Sequence, residues 1–222
     1  ENQVKNEYRE LNLSNPPKFI WANSSAQARD IIGSEEDIDM IICMYNEQDK
    51  EIFPFASRLK DEGRGIPFIL LIHYSKAVRQ RVLESPHPGV DFVFSWHGNA
   101  DLILAIVKLL EDAANAENDV FEVGVKGILL VEDSIRYYSN YLPELYKIVL
   151  TQSREFLTES LNDDQKKYRK RSRPKIFLAT CLEEAIAYFE KYRRNLLGVM
   201  SEWSSIRGMT LRLRNLTPES TL

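Results

Sequence analysis

The fold of this chain is decided by one apolar run that ends in two acids, Gly127-Ile128-Leu129-Leu130-Val131-Glu132-Asp133-Ser134. An unbroken apolar run of this length is typical of a strand that is buried on both faces, as in a parallel sheet. A long amphipathic helix pattern follows directly, and its apolar face carries Tyr138, Leu142, Leu145 and Val149. A buried strand that runs into a helix is the repeating unit of α/β proteins.

Outward from this run, buried strands and amphipathic helices alternate along most of the chain. Because parallel strands need crossover helices, this alternation predicts an α/β fold whose sheets are covered on both faces. Strands are predicted at residues 18–22, 39–44, 66–72, 90–94, 127–131, 174–179 and 196–200. Helices are predicted at the start of the chain and at residues 25–32, 52–59, 77–83, 100–113, 135–161 and 182–192.

The chain also contains an internal repeat. Pro17-Lys18-Phe19-Ile20-Trp21-Ala22 recurs 157 residues later as Pro174-Lys175-Ile176-Phe177-Leu178-Ala179, and both copies lead into a helix and then a buried strand. We favour duplication of one α/β unit over coincidence. The predicted division is a first module at residues 1–115, a linker at 116–126, a second module at 127–202 and an irregular tail at 203–222.

Composition narrows the class of protein. A chain of 222 residues with 44% hydrophobic and 28% charged residues can bury a core, which excludes a disordered or collagen-like chain. Its net charge of -4 gives no general attraction for nucleic acid or anionic lipid. The apolar runs are far shorter than the roughly 20 residues that a bilayer requires. Cys43 and Cys181 show no metal-binding spacing, which suits reduced thiols in a cytoplasm. Since residue 1 is Glu, we interpret the chain as a piece of a longer polypeptide.

The acid pair Glu132–Asp133 is the strongest candidate site. The carboxyl ends of parallel strands form the usual ligand edge of a sheet, and two adjacent acids there can hold Mg²⁺ through oxygen atoms. The alternative is structural: Asp133 or Ser134 caps the next helix, and Glu132 is a solvated neighbour at its positive end. The sequence leaves both interpretations open.

Together, the alternation, the acid pair and the repeat resemble the receiver domain of two-component response regulators. More specifically, residues 131–143, Arg173-Pro174-Lys175 and residues 196–201 resemble the tandem receiver-like region of some bacterial phosphoenolpyruvate synthase or pyruvate, phosphate dikinase-like proteins, where it precedes the catalytic part. The resemblance implies two receiver-like, flavodoxin-like three-layer units with parallel sheets. In it the first unit lacks its opening strand, and the second is truncated after its third strand.

The resemblance assigns roles to single residues. It implies that Glu132 and Asp133 hold the metal and that Glu202 occupies the phospho-acceptor position. Because glutamate is one methylene longer than aspartate, its carboxylate is displaced from the geometry of in-line transfer. Glu202 then either holds an active-like conformation as a permanent carboxylate or is an ordinary exposed residue. In the first module the acceptor position falls on Met44, which cannot carry phosphate.

The ends of the later strands in the first module also depart from the receiver pattern. His73 stands where the family has Ser or Thr, and Ser95-Trp96 stands where it has Lys. The first module is therefore predicted to be a degenerate receiver kept for contacts. Since its opening strand is missing, its sheet should contain unpaired backbone groups that need another partner.

Other candidate residues carry weaker signals. His73, His87 and His97 lack ligand spacing, so packing is favoured over a metal or catalytic role. No phosphate-binding glycine motif is present. For the basic residues 166–173 we favour a solvated helix face, balanced by Asp163 and Asp164, over RNA or DNA binding. We place Trp21 in the core and consider Trp96 and Trp203 as markers of a contact surface.

Three functional hypotheses follow. The first is a non-enzymatic regulatory segment of a larger bacterial protein that docks to a histidine kinase, to a downstream enzymatic domain or to another copy in a homo-oligomer. The second is a Mg²⁺-dependent receiver that phosphorylates itself from a phosphodonor. The third is a flavodoxin-like enzyme or ligand-binding protein. All three place the chain in the cytoplasm, without a membrane partner.

Overall fold

The computed structural model describes residues 1–11, 13, 15–34, 37–73, 75, 78, 82, 88–158 and 173–201. It confirms the α/β class, because helices alternate with the strands of two parallel sheets. Each sheet contains three strands within the described residues. We call the elements before residue 118 the first unit and those from residue 127 onward the second unit.

The first unit is built on sheet 1, whose strand order is β1-β2-β3. All pairs are parallel; Ile41 lies opposite Phe68, and Leu71 lies opposite Phe94. Strand β2 is in the middle and is buried almost throughout. The elements are α1 (Asn2–Glu10), α2 (Ser25–Ser34), β1 (Ile41–Met44), α3 (Ile52–Asp61), β2 (Phe68–His73), β3 (Phe92–Trp96) and α4 (Ala100–Glu117).

The second unit is built on sheet 2, whose strand order is β5-β4-β6. These pairs are also parallel, and Leu130 of the central strand lies opposite both Leu178 and Met200. A π-helical turn (Asn118–Glu122) connects the two units. The elements are β4 (Gly127–Val131), α5 (Ile135–Thr158), β5 (Lys175–Ala179), α6 (Leu182–Tyr192) and β6 (Leu196–Ser201).

Sheet 2 is the middle of three layers. Because side chains alternate between faces along a strand, Leu130, Ile176 and Leu178 face the core that includes α5. Leu129 and Phe177 lie on the other face, in a cluster with residues of α6. Gly127 permits close packing on this second face, because a Cβ there would lie 2.5 Å from the Phe177 ring. The layers therefore follow from the uninterrupted apolar strands.

Helix α4 differs from its predicted form. The sequence predicts an amphipathic helix that ends at residue 113, whereas the helix continues to Glu117 and every side chain from Leu102 to Leu109 is buried. The cause is that α4 packs against α1 on one side and against α5 and β5 on others. Residues 116–122, expected to be an irregular linker, are helical for the same reason, since Ala116 and Val120 are buried against the second unit.

The predicted strand at residues 18–22 is absent, because this segment has no regular secondary structure. A strand needs a neighbour for its backbone hydrogen bonds, and residues 18–22 pair with none of the strands of sheet 1. Trp21, predicted to lie in the core, is 70% exposed and stacks loosely on Phe19. The predicted helix at residues 77–83 falls largely outside the described residues.

Candidate functional site

The carboxyl edge of sheet 2 places the acid pair at the end of the central strand. Glu132 and Asp133 directly follow β4, which pairs with β5 on one side and β6 on the other. The Glu132 N–H continues the ladder by donating to the Ala179 carbonyl oxygen at 3.0 Å. The sequence prediction that the pair closes a central strand therefore agrees with the structure.

The two acids have different surroundings. Glu132 is 1% exposed, and its Oε1 accepts a hydrogen bond from the Ser134 N–H at 2.9 Å. Asp133 is exposed to solvent. Ser134 lies directly before α5, and its carbonyl oxygen accepts the Tyr138 N–H at 3.0 Å, so it holds the position that the capping interpretation gave it. The expectation that Glu132 is solvated was wrong, because Glu132 is buried and accepts the Ser134 N–H. Only Asp133 presents its side chain to solvent.

A third acid binds the loop after β5. Glu184 in the first turn of α6 accepts hydrogen bonds from the Thr180 N–H at 2.7 Å and from the Thr180 hydroxyl at 3.1 Å. Both hydrogen bonds run from Thr180 to the Glu184 carboxylate, so they fix the residue before the N-cap, Cys181, to the first turn of α6. The sequence analysis did not predict this contact, because the four-residue spacing of Thr180 and Glu184 is not the three-residue spacing of a capping box.

The described residues test how well this edge fits a magnesium ion. Mg²⁺ prefers near-octahedral oxygen ligation and is usually held by one or two carboxylates. Among the residues described, no three His, Cys, Asp or Glu side chains come together in a way that could hold a metal. Asp133 is accessible, and Glu132 is buried at the helix start. Glu202, the predicted acceptor position, lies outside the described residues, so the magnesium site remains a prediction.

The corresponding edge of sheet 1 carries no carboxylate at its strand ends. Met44 ends β1 and is 40% exposed, His73 ends β2 and is exposed, and Trp96 ends β3. Thioether, imidazole and indole groups do not provide the oxygen ligands that Mg²⁺ needs. His97 follows β3, and His87 lies outside the described residues.

The edge of β3 that faces away from β2 is closed by side chains of the second unit. The Ser95 N–H donates to the Ser139 Oγ of α5 at 2.9 Å. The Tyr138 hydroxyl, also on α5, donates to the Val93 carbonyl oxygen. Tyr138 and Ser139 are both buried. Exposed backbone groups of a sheet edge invite pairing with another strand, and these two contacts satisfy them locally.

The edge of β5 that faces away from β4 is closed by the first unit. Asp112 of α4 is fully buried, and its Oδ2 accepts a hydrogen bond from the Ile176 N–H at 3.0 Å. Arg173 binds the same carboxylate through both Nη atoms, at 2.6 and 3.0 Å. The Tyr146 hydroxyl of α5 donates to it at 2.9 Å. Each unit thus closes an edge of the other unit's sheet.

Asp112 and its partners Arg173, Tyr146 and Lys175 form a buried cluster of charged and polar side chains. Burial, reinforced by the charge of Asp112, raises the pKa of Tyr146 well above its ordinary value, so the phenol stays protonated and donates. Lys175 lies between two acids, with Nζ 2.5 Å from Asp119 and 3.5 Å from Asp112. Residues 166–173 were expected to form a solvated basic helix face. Arg173 contradicts this expectation, because its side chain is largely buried against Asp112. Residues 166–172 lie outside the described residues.

No protein-family model, curated protein sequence or solved structure matches the chain. Among the helices of the described part, none combines the length and apolar character needed to cross a membrane.

Proposed function

We propose that the chain is a non-enzymatic regulatory segment of signal-transduction type, a receiver or pseudo-receiver pair within a larger, phosphoenolpyruvate synthase-like bacterial protein. The observation that carries this proposal is the position of Glu132–Asp133 at the carboxyl end of the central strand of sheet 2. Ligands of open α/β sheets bind at this edge.

The strand orders support a receiver-like origin for both units. Flavodoxin-like sheets have the order 2-1-3-4-5. Sheet 2, with its first strand between the second and the third, has the order of the first three strands of that fold. Sheet 1, with three consecutive strands side by side, has the order of the last three. The two units would then retain complementary parts of one ancestral sheet.

The side chains favour docking over phosphoryl transfer. Glu132 is buried and already bonded to the start of α5, and the first unit has Met44 at the acceptor position. In-line phosphoryl transfer depends on positioning and charge neutralisation around the acceptor. The proposed partners are a histidine kinase or a downstream enzymatic domain of the same polypeptide, and a homo-oligomer is compatible with either. The proposed compartment is the cytoplasm, in keeping with the two free thiols of Cys43 and Cys181.

The first test asks whether the chain accepts phosphate. The protein is incubated with acetyl phosphate and MgCl₂, and its intact mass is followed over time. We expect no phosphoryl adduct. A stable adduct that disappears in the Asp133→Asn variant would replace the docking proposal with a phospho-accepting receiver.

The second test asks whether the exposed acid is part of a docking surface. In the parent protein, Asp133→Lys reverses the charge at the carboxyl edge while leaving the buried Glu132 in place. We expect the activity of the downstream domain, or its response to the kinase, to change. Asp37→Lys is the matched control, because Asp37 is an exposed acid of the first unit. Equal behaviour of both variants would contradict a docking role for this edge.

A further inference from the structure

Helix α5 begins at Ile135, one residue beyond the acid pair and Ser134. Glu132 Oε1 accepts the Ser134 N–H, and the Ser134 carbonyl oxygen accepts the N–H groups of Tyr137 and Tyr138 at 2.9 and 3.0 Å. These bonds run without interruption from the acid pair into the first turn of the helix. A change in the position or charge of Glu132 therefore acts directly on this turn.

The same stretch of α5 holds the edge of sheet 1. Tyr138 donates to the Val93 carbonyl oxygen, and Ser139 accepts from the Ser95 N–H. The Tyr138 ring also packs edge-on against the Phe94 ring, with centroids 5.4 Å apart. Tyr138 and Ser139, which bond to the neighbouring sheet, thus follow Ser134, which bonds to the acid pair, by only four and five positions.

Pro143 limits this stretch at its far end. Proline has no backbone N–H, so the Ser139 carbonyl oxygen lacks its usual helical donor four residues later. The first two turns of α5 are therefore tied less tightly to the rest of the helix than in an uninterrupted helix. This local weakness lies between the turn that contacts β3 and the turns that contact Asp112 through Tyr146.

We propose that the first two turns of α5 couple the acid pair of sheet 2 to the edge of sheet 1. A change at Glu132 in the second unit would then alter the hydrogen bonds that close the β3 edge of the first unit. This coupling deepens the proposed function by naming the regulated surface, β3, but it is a property of the fold that can be measured without any partner. Coupling between two sites is reciprocal, so a change at either end must be felt at the other.

The experiment follows hydrogen exchange of the Ser95 amide by NMR in the whole chain, under conditions where exchange reports the opening equilibrium. Ser139→Ala removes the acceptor and is expected to speed exchange of this amide about tenfold, the equivalent of one hydrogen bond. Glu132→Gln keeps the oxygen acceptor but removes its charge, and is expected to speed exchange of the same amide about fivefold. Glu144→Gln, an exposed acid on α5 beyond Pro143, is the control and should leave the rate unchanged.

Reciprocity supplies a test that leaves the acid pair intact. In Ser139→Ala, exchange of the Ser134 amide, which donates to Glu132, should also accelerate. Unchanged Ser134 exchange in Ser139→Ala would overturn the proposal even if Glu132→Gln does not fold. Unchanged Ser95 exchange in a folded Glu132→Gln variant would overturn it as well. Neither result bears on phosphate acceptance or docking, so failure of the coupling is distinguishable from failure of the proposed function.

Discussion

The edges of β3 and β5 that face the opposite unit are closed in the same way but with different chemistry. The β3 edge is closed by neutral hydroxyl groups, those of Tyr138 and Ser139. The β5 edge is closed by a buried carboxylate, Asp112, that also binds a guanidinium group. Removing one partner of a buried charge pair costs far more than removing a neutral hydrogen bond, because an uncompensated charge remains. The difference indicates that the contact between the units at the β5 edge is permanent, whereas the contact at the β3 edge can open and close more easily.

The largest expected effect tests the charged edge. Asp112→Ala leaves Arg173 buried without its carboxylate partner and the Ile176 N–H without its acceptor. We expect the free energy of unfolding to fall by about 3–5 kcal/mol. Chemical denaturation followed by circular dichroism measures it.

The matched control for this change is Glu117→Gln on the same helix. Glu117 forms an exposed ion pair with Lys191, and such pairs contribute little. If Asp112→Ala were as stable as this control, the charged edge would not hold the units together.

A smaller effect is expected when one donor to the carboxylate is removed. Tyr146→Phe keeps the ring but deletes the hydroxyl that donates to Asp112. A hydrogen bond to a charged group contributes about 1.5–3 kcal/mol, so we expect a loss in this range. Tyr137→Phe is the control, because Tyr137 is 40% exposed. The two variants are compared in the same denaturation assay, and equal stabilities would show that Asp112 does not depend on Tyr146.

The smallest effect concerns the outer strand of sheet 1 and involves no loss of stability near neutral pH. Burial raises the pKa of the Cys43 thiol to about 11 from an ordinary 9.0, so near pH 8 its thiolate fraction is about a hundredfold lower than that of an ordinary thiol. We expect iodoacetamide to modify the exposed Cys181 first and Cys43 only slowly. Mass spectrometry of digested protein locates the label. Equal rates at the two cysteines would mean that β1 is far more accessible than described.

The same shift sets a pH dependence with a definite sign. Because the folded state disfavours the Cys43 thiolate, its contribution to stability is complete below pH 9 and is lost as the pH rises toward about 11. Cys43→Ala should abolish this part of the alkaline loss of stability in thermal unfolding measured across that range.

The strands and helices that form continuous apolar or periodic runs could be predicted from the sequence. Strand β4, helix α6 and the position of Glu132–Asp133 follow from local pattern alone. The prediction of a strand at residues 18–22 was wrong, because a strand depends on a neighbouring strand that the local pattern does not reveal. The predicted strands that formed are those to which a sheet supplies at least one neighbouring strand.

Asp112 shows why the contacts between the units could not be predicted. In the sequence it is one acid near the end of a helix, indistinguishable from a solvated residue. Its burial comes from Tyr146, Arg173 and Ile176, which lie 34 to 64 residues further along the chain. Ser139 is equally inconspicuous, and its partner Ser95 is 44 residues away. Such pairs carry no fixed spacing, so periodicity and motifs give no signal for them.

The exchange of edge-closing side chains has a consequence for how such a protein can evolve. Recombination that transferred either unit alone to another gene would transfer a sheet with an uncovered edge strand. The backbone groups of such an edge pair with strands of other chains and promote aggregation. Descendants that keep only one half would need a substitute for Asp112 or for Tyr138 and Ser139. We therefore expect the two units to be inherited together, and insertions to accumulate on the surface away from the edges that the units close for each other.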